Sequence, residues 1–507
     1  MKRFFILSLI GFYTSCFANA QIQMWSMEAC IRYAVDNSPK MKQQVLINSN
    51  YKYDQQSAVA SFFPSIGASV GVQTNFGRSI DPETNTYSNS SNLSNGYELS
   101  GTLPLFDSGQ LISKLQISKI ARMNGVAELQ QIADQQALST MQAYADAVYY
   151  RKAIELAKRK LEESSVTLRK ASRMEELGIK GKADVAQIEA QRAEDDYTLT
   201  HMQNMYEASV ITLKDYMNYP VDQPLEVDTL IPALRTTSAI EGASEIYQTA
   251  VELNPLAIQT VYKLQTAKLE RRVERAKLFP SLSLFGGVNT YYNKTLTGEN
   301  NMPAFGSQFR NNFGQWVGIS LRIPIFDGLT KRTALNKARA NIKIAEYKQE
   351  ETLRQLQTEI EKALQDRDGF AKEIIQMQKQ VKANEIAYQI TARKFESGLL
   401  SAIDLQTSGN KLLQSQAALL QTELKYMLKS RLVDYYKGIP IIETKYNYNN
   451  GYSTRKEKRT SKKAYSLYSR RNFVCNSVAM DYLWQPCFLA ESRCQFAEYR
   501  ECNSRAV

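Results

Sequence analysis

The chain has 507 residues and six cysteines, with 63 Lys and Arg against 51 Asp and Glu, a formal charge of +12. The excess is local: residues 445–507 hold 12 basic and 5 acidic side chains, Lys2 and Arg3 add two more, and residues 4–444 keep only +3. A body so nearly balanced is a poor phosphate-binding groove. Cysteine spacings of 12, 7 and 8 through Cys475, Cys487, Cys494 and Cys502 fit no zinc pattern and leave the body without a disulfide scaffold.

Residues 1–20 read as a secretory signal peptide. Lys2-Arg3 precedes the apolar run Phe4–Phe12, and Ala18-Asn19-Ala20 stands ahead of a cleavage point before Gln21. A lipid-modified Cys16 is the alternative, although Tyr13-Thr14-Ser15 is a poor approach to one. Past the signal no run of about 18 apolar residues follows, so the sequence predicts export without a membrane-spanning helix.

From residue 21 onward the chain reads as one unit written twice. Pro39 and Pro64 recur as Pro255 and Pro280, each 216 residues on; Pro104 and Pro220 recur as Pro324 and Pro440, each 220 on; Pro82 and Pro303 fit at 221. Proline fixes φ and removes a backbone donor, so it ends helices and central strands, and a duplicated proline map is a duplicated element map. The copies are assigned to residues 21–234 and 235–445.

Each unit opens with a short amphipathic helix, carried in the first copy by Trp25, Met27, Cys30, Ile31, Ala34 and Val35. A second helix starts at Pro39 with Ser38 as its cap and runs to about Ala60; Ala243–Leu253 and Pro255–Leu278 are the counterparts. After Pro64 the period changes to two. Strands are expected over 65–74 and 96–104, and again over 281–290 and 315–324. One face is apolar; the other carries groups such as Glu98 and Arg322. Runs of about ten residues cross a bilayer when tilted, and the long Asn/Ser/Gly-rich connections match the outer loops of membrane barrels. A half-buried strand in a soluble sheet is the plainer reading of the same alternation.

Long helical hairpins follow over 109–219 and 329–437. Their first arms, rich in Ala, Leu, Gln, Glu, Lys and Arg, have about 69 residues, or roughly 100 Å of helix. Narrow apolar stripes suit side-by-side, coiled-coil-like packing. The turns match across the copies: Gly178, Gly181 and Asp184 in the first tip, Gly398, Ser401 and Asp404 in the second. Gly178 and Gly398 suit a left-handed helix terminus, and Ser401 with Asp404 an N-terminal capping pair.

Four strands cannot close a barrel, and an open edge in lipid leaves backbone groups unpaired. Two chains would give eight strands and three would give twelve. Strand faces expected to be small and polar argue for the wider, water-filled version.

The tandem order of helix, helix, strand, strand and long hairpin resembles the TolC family of outer membrane efflux proteins. The likeness covers about residues 24–440 and rests on the Trp25–Pro39 opening, the two Phe-Pro-Ser strand starts, the Leu103–Asp107 and Ile323–Asp327 junctions and the two tips. It implies a homotrimer with a twelve-stranded barrel in the outer membrane and an α-helical tunnel across the periplasm. It implies a periplasmic adaptor and an inner-membrane pump (ABC, RND or MFS type) as partners, in efflux or type I secretion of drugs, other small molecules or proteins. Carried over, the tips become the periplasmic entrance and docking surface, with Gly181 in place of a hydroxyl and Thr407 in place of a second carboxylate. Helix capping is the plainer role for Asp184 and Asp404.

Catalysis has little support: the single histidine, His201, lies in a helical span, and no nucleotide, zinc-protease or hydrolase motif is present. No cofactor or metal site is expected. The rival class is a non-transporting periplasmic coiled-coil spacer or adaptor, which would not need four bilayer-length strands. Residues 446–507, with the basic run Arg455–Lys463 and four cysteines, lie outside the repeat. They read as a surface-binding extension, a disordered extension, or the product of reading past a frameshift.

Overall fold

The computed structural model describes residues 24–80, 85–89, 91–229, 242–296 and 303–441. The signal peptide, Pro82 and the tail after residue 445 lie outside the described residues.

In chain order the elements are β1 (Met24–Trp25), α1 (Met27–Asn37), α2 (Pro39–Ala60), β2 (Ser65–Asn75), β3 (Arg78–Ile80), β4 (Tyr87–Asn89) and β5 (Asn92–Phe106). Then come α3 (Gln110–Glu176), α4 (Lys182–Met217), β6 (Glu226–Val227), α5 (Ala243–Leu253), α6 (Pro255–Ala276) and β7 (Ser281–Thr295). The chain continues through α7 (Phe305–Asn311), β8 (Gly314–Arg322), α8 (Thr330–Glu396) and α9 (Ala402–Tyr436). Among the described residues no helix is long and apolar enough to cross a membrane.

Some helix starts follow their capping chemistry and others do not. Ser26 accepts from the Ala29 amide at 3.3 Å to open α1, and Asn254 accepts from Leu256 at 2.9 Å to open α6. Ser38 precedes α2 but makes no cap hydrogen bond, and its buried hydroxyl finds no partner. Pro39 at the first helical turn supplies the start instead, because its fixed φ is already helical.

The first arms α3 and α8 have 67 residues each, about 100 Å of helix, and their return arms α4 and α9 have 36 and 35. Two apolar clusters hold the short helices against the long ones. Cys30, Ile31 and Ala34 of α1 pack with Met141, Ala147 and Val148 of α3 and Leu213 and Met217 of α4. Ile246 and Ala250 of α5 pack with Leu356 and Ile360 of α8 and Val433 of α9. Small residues dominate the buried side of α3, which lets long helices approach closely over many turns. Burial pushes the Cys30 thiol up to about 12, so it sits in the core as an inert apolar group.

β2, β5, β7 and β8 form one antiparallel sheet in the order β2-β5-β7-β8, with β2 and β8 as open edges. The strands differ from the sequence expectation at their ends. β5 runs four residues earlier and two later than 96–104, β7 extends from 290 to 295, and β8 stops at Arg322 rather than 324. Pro104 therefore stays inside a central strand, against the rule that proline ends one. The reason is local: β2 stops pairing at Thr102, so beyond it β5 is an edge on that side, and a bulge between Pro104 and Phe106 absorbs the proline. The connections are not plain loops either. β3 and β4 form a short ladder, and α7 packs back on the sheet through Gln308, which bonds both backbone groups of Asn293.

β5 and β8 each feed a long helix through an aspartate. Asp107 accepts from the Gly109 and Leu111 amides, and Asp327 from Lys331 and the Thr330 hydroxyl. The residue before α3 is Gly109 at φ +81°, whereas the residue before α8 is Leu329 at φ +67°. A left-handed leucine costs about 1–2 kcal/mol that glycine avoids. Exchanging Leu329 for glycine is expected to stabilise each chain by about 0.5–1 kcal/mol after the extra unfolded-state entropy is counted, read as a higher denaturation midpoint.

Candidate functional site: hairpin tips and strand face

Both hairpins turn by the same backbone device. Gly178, at φ +73°, donates to Glu175 O at 2.8 Å, and Ile179 donates to Met174 O at 2.8 Å. Gly398, at φ +74°, donates to Phe395 O at 3.0 Å, and Leu399 to Lys394 O at 2.9 Å. These paired bonds are a Schellman termination, which satisfies the last carbonyls of α3 and α8 and requires a left-handed residue.

The return helices start differently. Ser401 and Asp404 make a full capping box: the Asp404 amide donates to Ser401 Oγ at 3.3 Å, and the Ser401 amide donates back to Asp404 Oδ2 at 3.1 Å. The Ser401 hydroxyl, at 2.6 Å, and then the backbone amide hold the Asp404 carboxyl below the usual carboxylate range. Gly181 has no side chain to offer, so Asp184 is an acidic first-turn residue without a box. Its backbone amide bonds Gly181 O at 3.1 Å.

The structure brings the two tips together. Phe395, 2% exposed, packs with Ala171, Ile188 and Ala402 between the hairpins. Lys180 lies over the Phe395 ring, 4.5 Å from its centroid, and donates to Leu400 O at 3.2 Å. Lys180 and Leu400 are the same position of the two copies, 220 residues apart, so one copy's lysine bonds its counterpart's carbonyl. Lys170 pairs with Glu396 at 2.6 Å, but both are about half exposed and the pair adds little. Around this seam Leu177, Ile179, Leu399 and Ile403 stand exposed, Leu399 by 74%. Sequence reading missed Lys180 and this apolar crown. The one signal available was a basic residue two positions after a helix-stop glycine.

Glu98 and Arg322 fall on one face of the sheet. Ser69, Glu98, Asn289 and Gly314 form one row across the four strands, and Arg322 shares the row of Ser281. Rows with the same parity carry Ser100, Thr102, Ser283 and Ser320. The other face carries Ile66, Val70, Val72, Leu99, Val317, Ile319 and Leu321, all exposed, Val317 by 78%. Three large side chains depart from the small and polar expectation for the first face: Phe285, Tyr291 and Trp316 share the parity of Glu98 and Arg322.

His201 lies exposed on α4, stacked on Tyr197 at 6.1 Å.

The comparisons with known proteins agree with this architecture. The family model described as "Outer membrane efflux protein" matches residues 30–218 and 246–431, well over half of the chain. The chain is 22% identical over 276 residues to "Probable efflux pump outer membrane protein TtgC" of Pseudomonas putida, covering 53% of this chain and 52% of that one. It is 24% identical over 174 residues to "Probable outer membrane lipoprotein SilC" of Salmonella typhimurium, covering 33% and 34%. The chain thus spans a third to a half of the length of these curated relatives. Among solved structures, the outer membrane protein VceC of Vibrio cholerae superposes with a TM-score of 0.70 at 16% identity, covering 82% of this chain and 97% of that one. The CmeC outer membrane channel of Campylobacter jejuni gives 0.68 at 18%, covering 82% and 87%. At such identities the superpositions establish a shared fold. With the family model matching both halves, the chain belongs to the outer membrane efflux protein family.

Proposed function

We propose that three copies of this chain close a twelve-stranded barrel in the outer membrane and continue as a helical tunnel into the periplasm, forming the passive exit duct of an efflux or type I secretion assembly. One observation carries this reading: a four-stranded sheet with two open edges and one exposed apolar face leads directly into 67-residue helices. In lipid the open edges β2 and β8 need partners, and further copies of the same sheet supply them. The exposed row from Ile66 to Val317 then faces acyl chains, and the face that carries Glu98 and Arg322 faces the lumen. A soluble spacer or adaptor leaves the apolar face without a purpose.

The tips become the periplasmic entrance, with Gly178, Gly181, Asp184, Gly398, Ser401 and Asp404 shaping the turns. The exposed Leu177, Ile179 and Leu399 offer an adaptor an apolar docking rim, and an inner-membrane pump supplies the energy for transport. Fractionation tests the assembly: a heat-modifiable trimer in the outer membrane supports the duct, whereas soluble protein released by osmotic shock supports the spacer.

Lys180 holds the two tips of one chain together. Lys180→Met keeps the stem and removes the charge, costing roughly 1–2 kcal/mol of inter-tip attraction. The expected result is unchanged trimer with a looser entrance, read as several-fold greater sensitivity to bulky antibiotics that the outer membrane normally excludes.

A further inference from the structure

Besides Tyr291, two aromatic rings that touch each other interrupt the polar face of the sheet. Phe285 is paired across the ladder with Gly318, and Trp316 with Gly287. A Cβ on Gly318 would fall 2.7 Å from Phe285 Cζ, and one on Gly287 would fall 3.0 Å from Trp316 Cζ2. Each ring therefore lies over the glycine opposite it, in space that any other residue there would fill. The rings meet at 5.6 Å between centroids, inclined by 51°. Trp316 remains 38% exposed, so with one side turned to the strands the indole presents its other side to the space above the sheet.

The charge around this pair is uneven. Among the four strands, Glu98 and Arg322 are the only charged residues on this face. Glu98 lies in the row next to that of Trp316, about 12 Å away by strand spacing, whereas Arg322 is six residues along the same strand, roughly 20 Å away. The nearer charge is negative. An open π-face attracts planar rings by stacking and cations through its quadrupole, and a nearby carboxylate favours positive charge further.

We propose that Trp316 and Phe285 form a stacking platform inside the duct that transiently holds planar aromatic cations in transit. The proposal rests on the reading that this face lines a water-filled lumen. In a trimer the platform occurs three times at one level of the barrel. Covering glycine backbone is the competing role for such rings, and it predicts no ligand.

Full-length trimers reconstituted in a planar bilayer, with ethidium added from the loop side, separate the two. Wild type is expected to show brief current interruptions at micromolar ethidium, and a planar polyanion such as pyrene tetrasulfonate none. Trp316→Phe keeps a π-face and should keep the interruptions. Trp316→Leu still covers Gly287 but offers no ring, and should shorten dwell times on the order of tenfold at unchanged unitary conductance. If Trp316→Leu does not assemble, Phe285→Leu serves as the second variant, with the same expected shortening. Equal ethidium dwell times in the Phe and Leu variants, or no interruptions in a wild type that conducts, would overturn the platform. A wild type that forms no channel would instead overturn the duct reading on which it stands.

Discussion

Replacing Gly398 with valine is expected to abolish export while leaving trimers in the membrane. Nothing lies within 4 Å of a Cβ at this position, so the substitution meets no clash. Its effect is conformational: φ is +74°, and a β-branched residue pays at least 1–2 kcal/mol, by rough estimate, to hold that angle. The cheapest escape is to unwind the end of α8. That breaks the bonds from Gly398 to Phe395 O and from Leu399 to Lys394 O, and it moves Phe395, which fills the seam between the hairpins. The sheet is about 100 Å of helix away and is untouched. Gly398→Asn should retain most export, because asparagine tolerates the left-handed region. Gly181, at φ −83°, has no such demand, and Gly181→Ala should be close to silent. Normal export from the valine variant would remove the second tip from the entrance.

Arginine at Leu99 or Val317 is expected to eliminate trimers from the outer membrane. Both residues are exposed on the apolar face of the sheet. Near mid-bilayer each arginine costs roughly 2–4 kcal/mol, and a closed trimer carries three. The total approaches the whole stability of an ordinary domain. Ser100→Arg, one residue from Leu99 but on the other face, should assemble in near-normal amounts. Equal assembly of the two variants would show that the sheet does not sit in lipid.

What the sequence reveals here depends on how local the physics is. Helix stops are legible because a left-handed turn demands a particular residue: Gly178 and Gly398 stand where φ is +73° and +74°. The Ser401–Asp404 box is legible because both partners lie within one turn. Strand faces are legible from period-two alternation, but that pattern sorts by polarity and so hides Phe285 and Trp316, apolar residues in the polar register. Their meaning emerges only with Gly318 and Gly287 paired opposite them. Lys180 is hidden for a similar reason, since its partners Phe395 and Leu400 lie more than 200 residues away. Ser38 shows the reverse failure: a good cap residue in the right place that makes no cap, because the proline after it already sets the helix. Pro104 fails as a strand stop because its neighbour strand ends first.

Cysteine labelling in intact outer membranes tests the duct most directly. Single cysteines at Glu98, Arg322, Leu99 and Leu321, in a background without the native cysteines, are treated with a water-soluble maleimide. A duct whose polar sheet face lines the lumen predicts modification at Glu98 and Arg322 and protection at Leu99 and Leu321. Modification at Leu99 and Leu321 with protection at the other two would contradict it, because a one-residue slip in register exchanges the faces. Modification at all four would contradict it more deeply, since a sheet wet on both sides is not in a membrane.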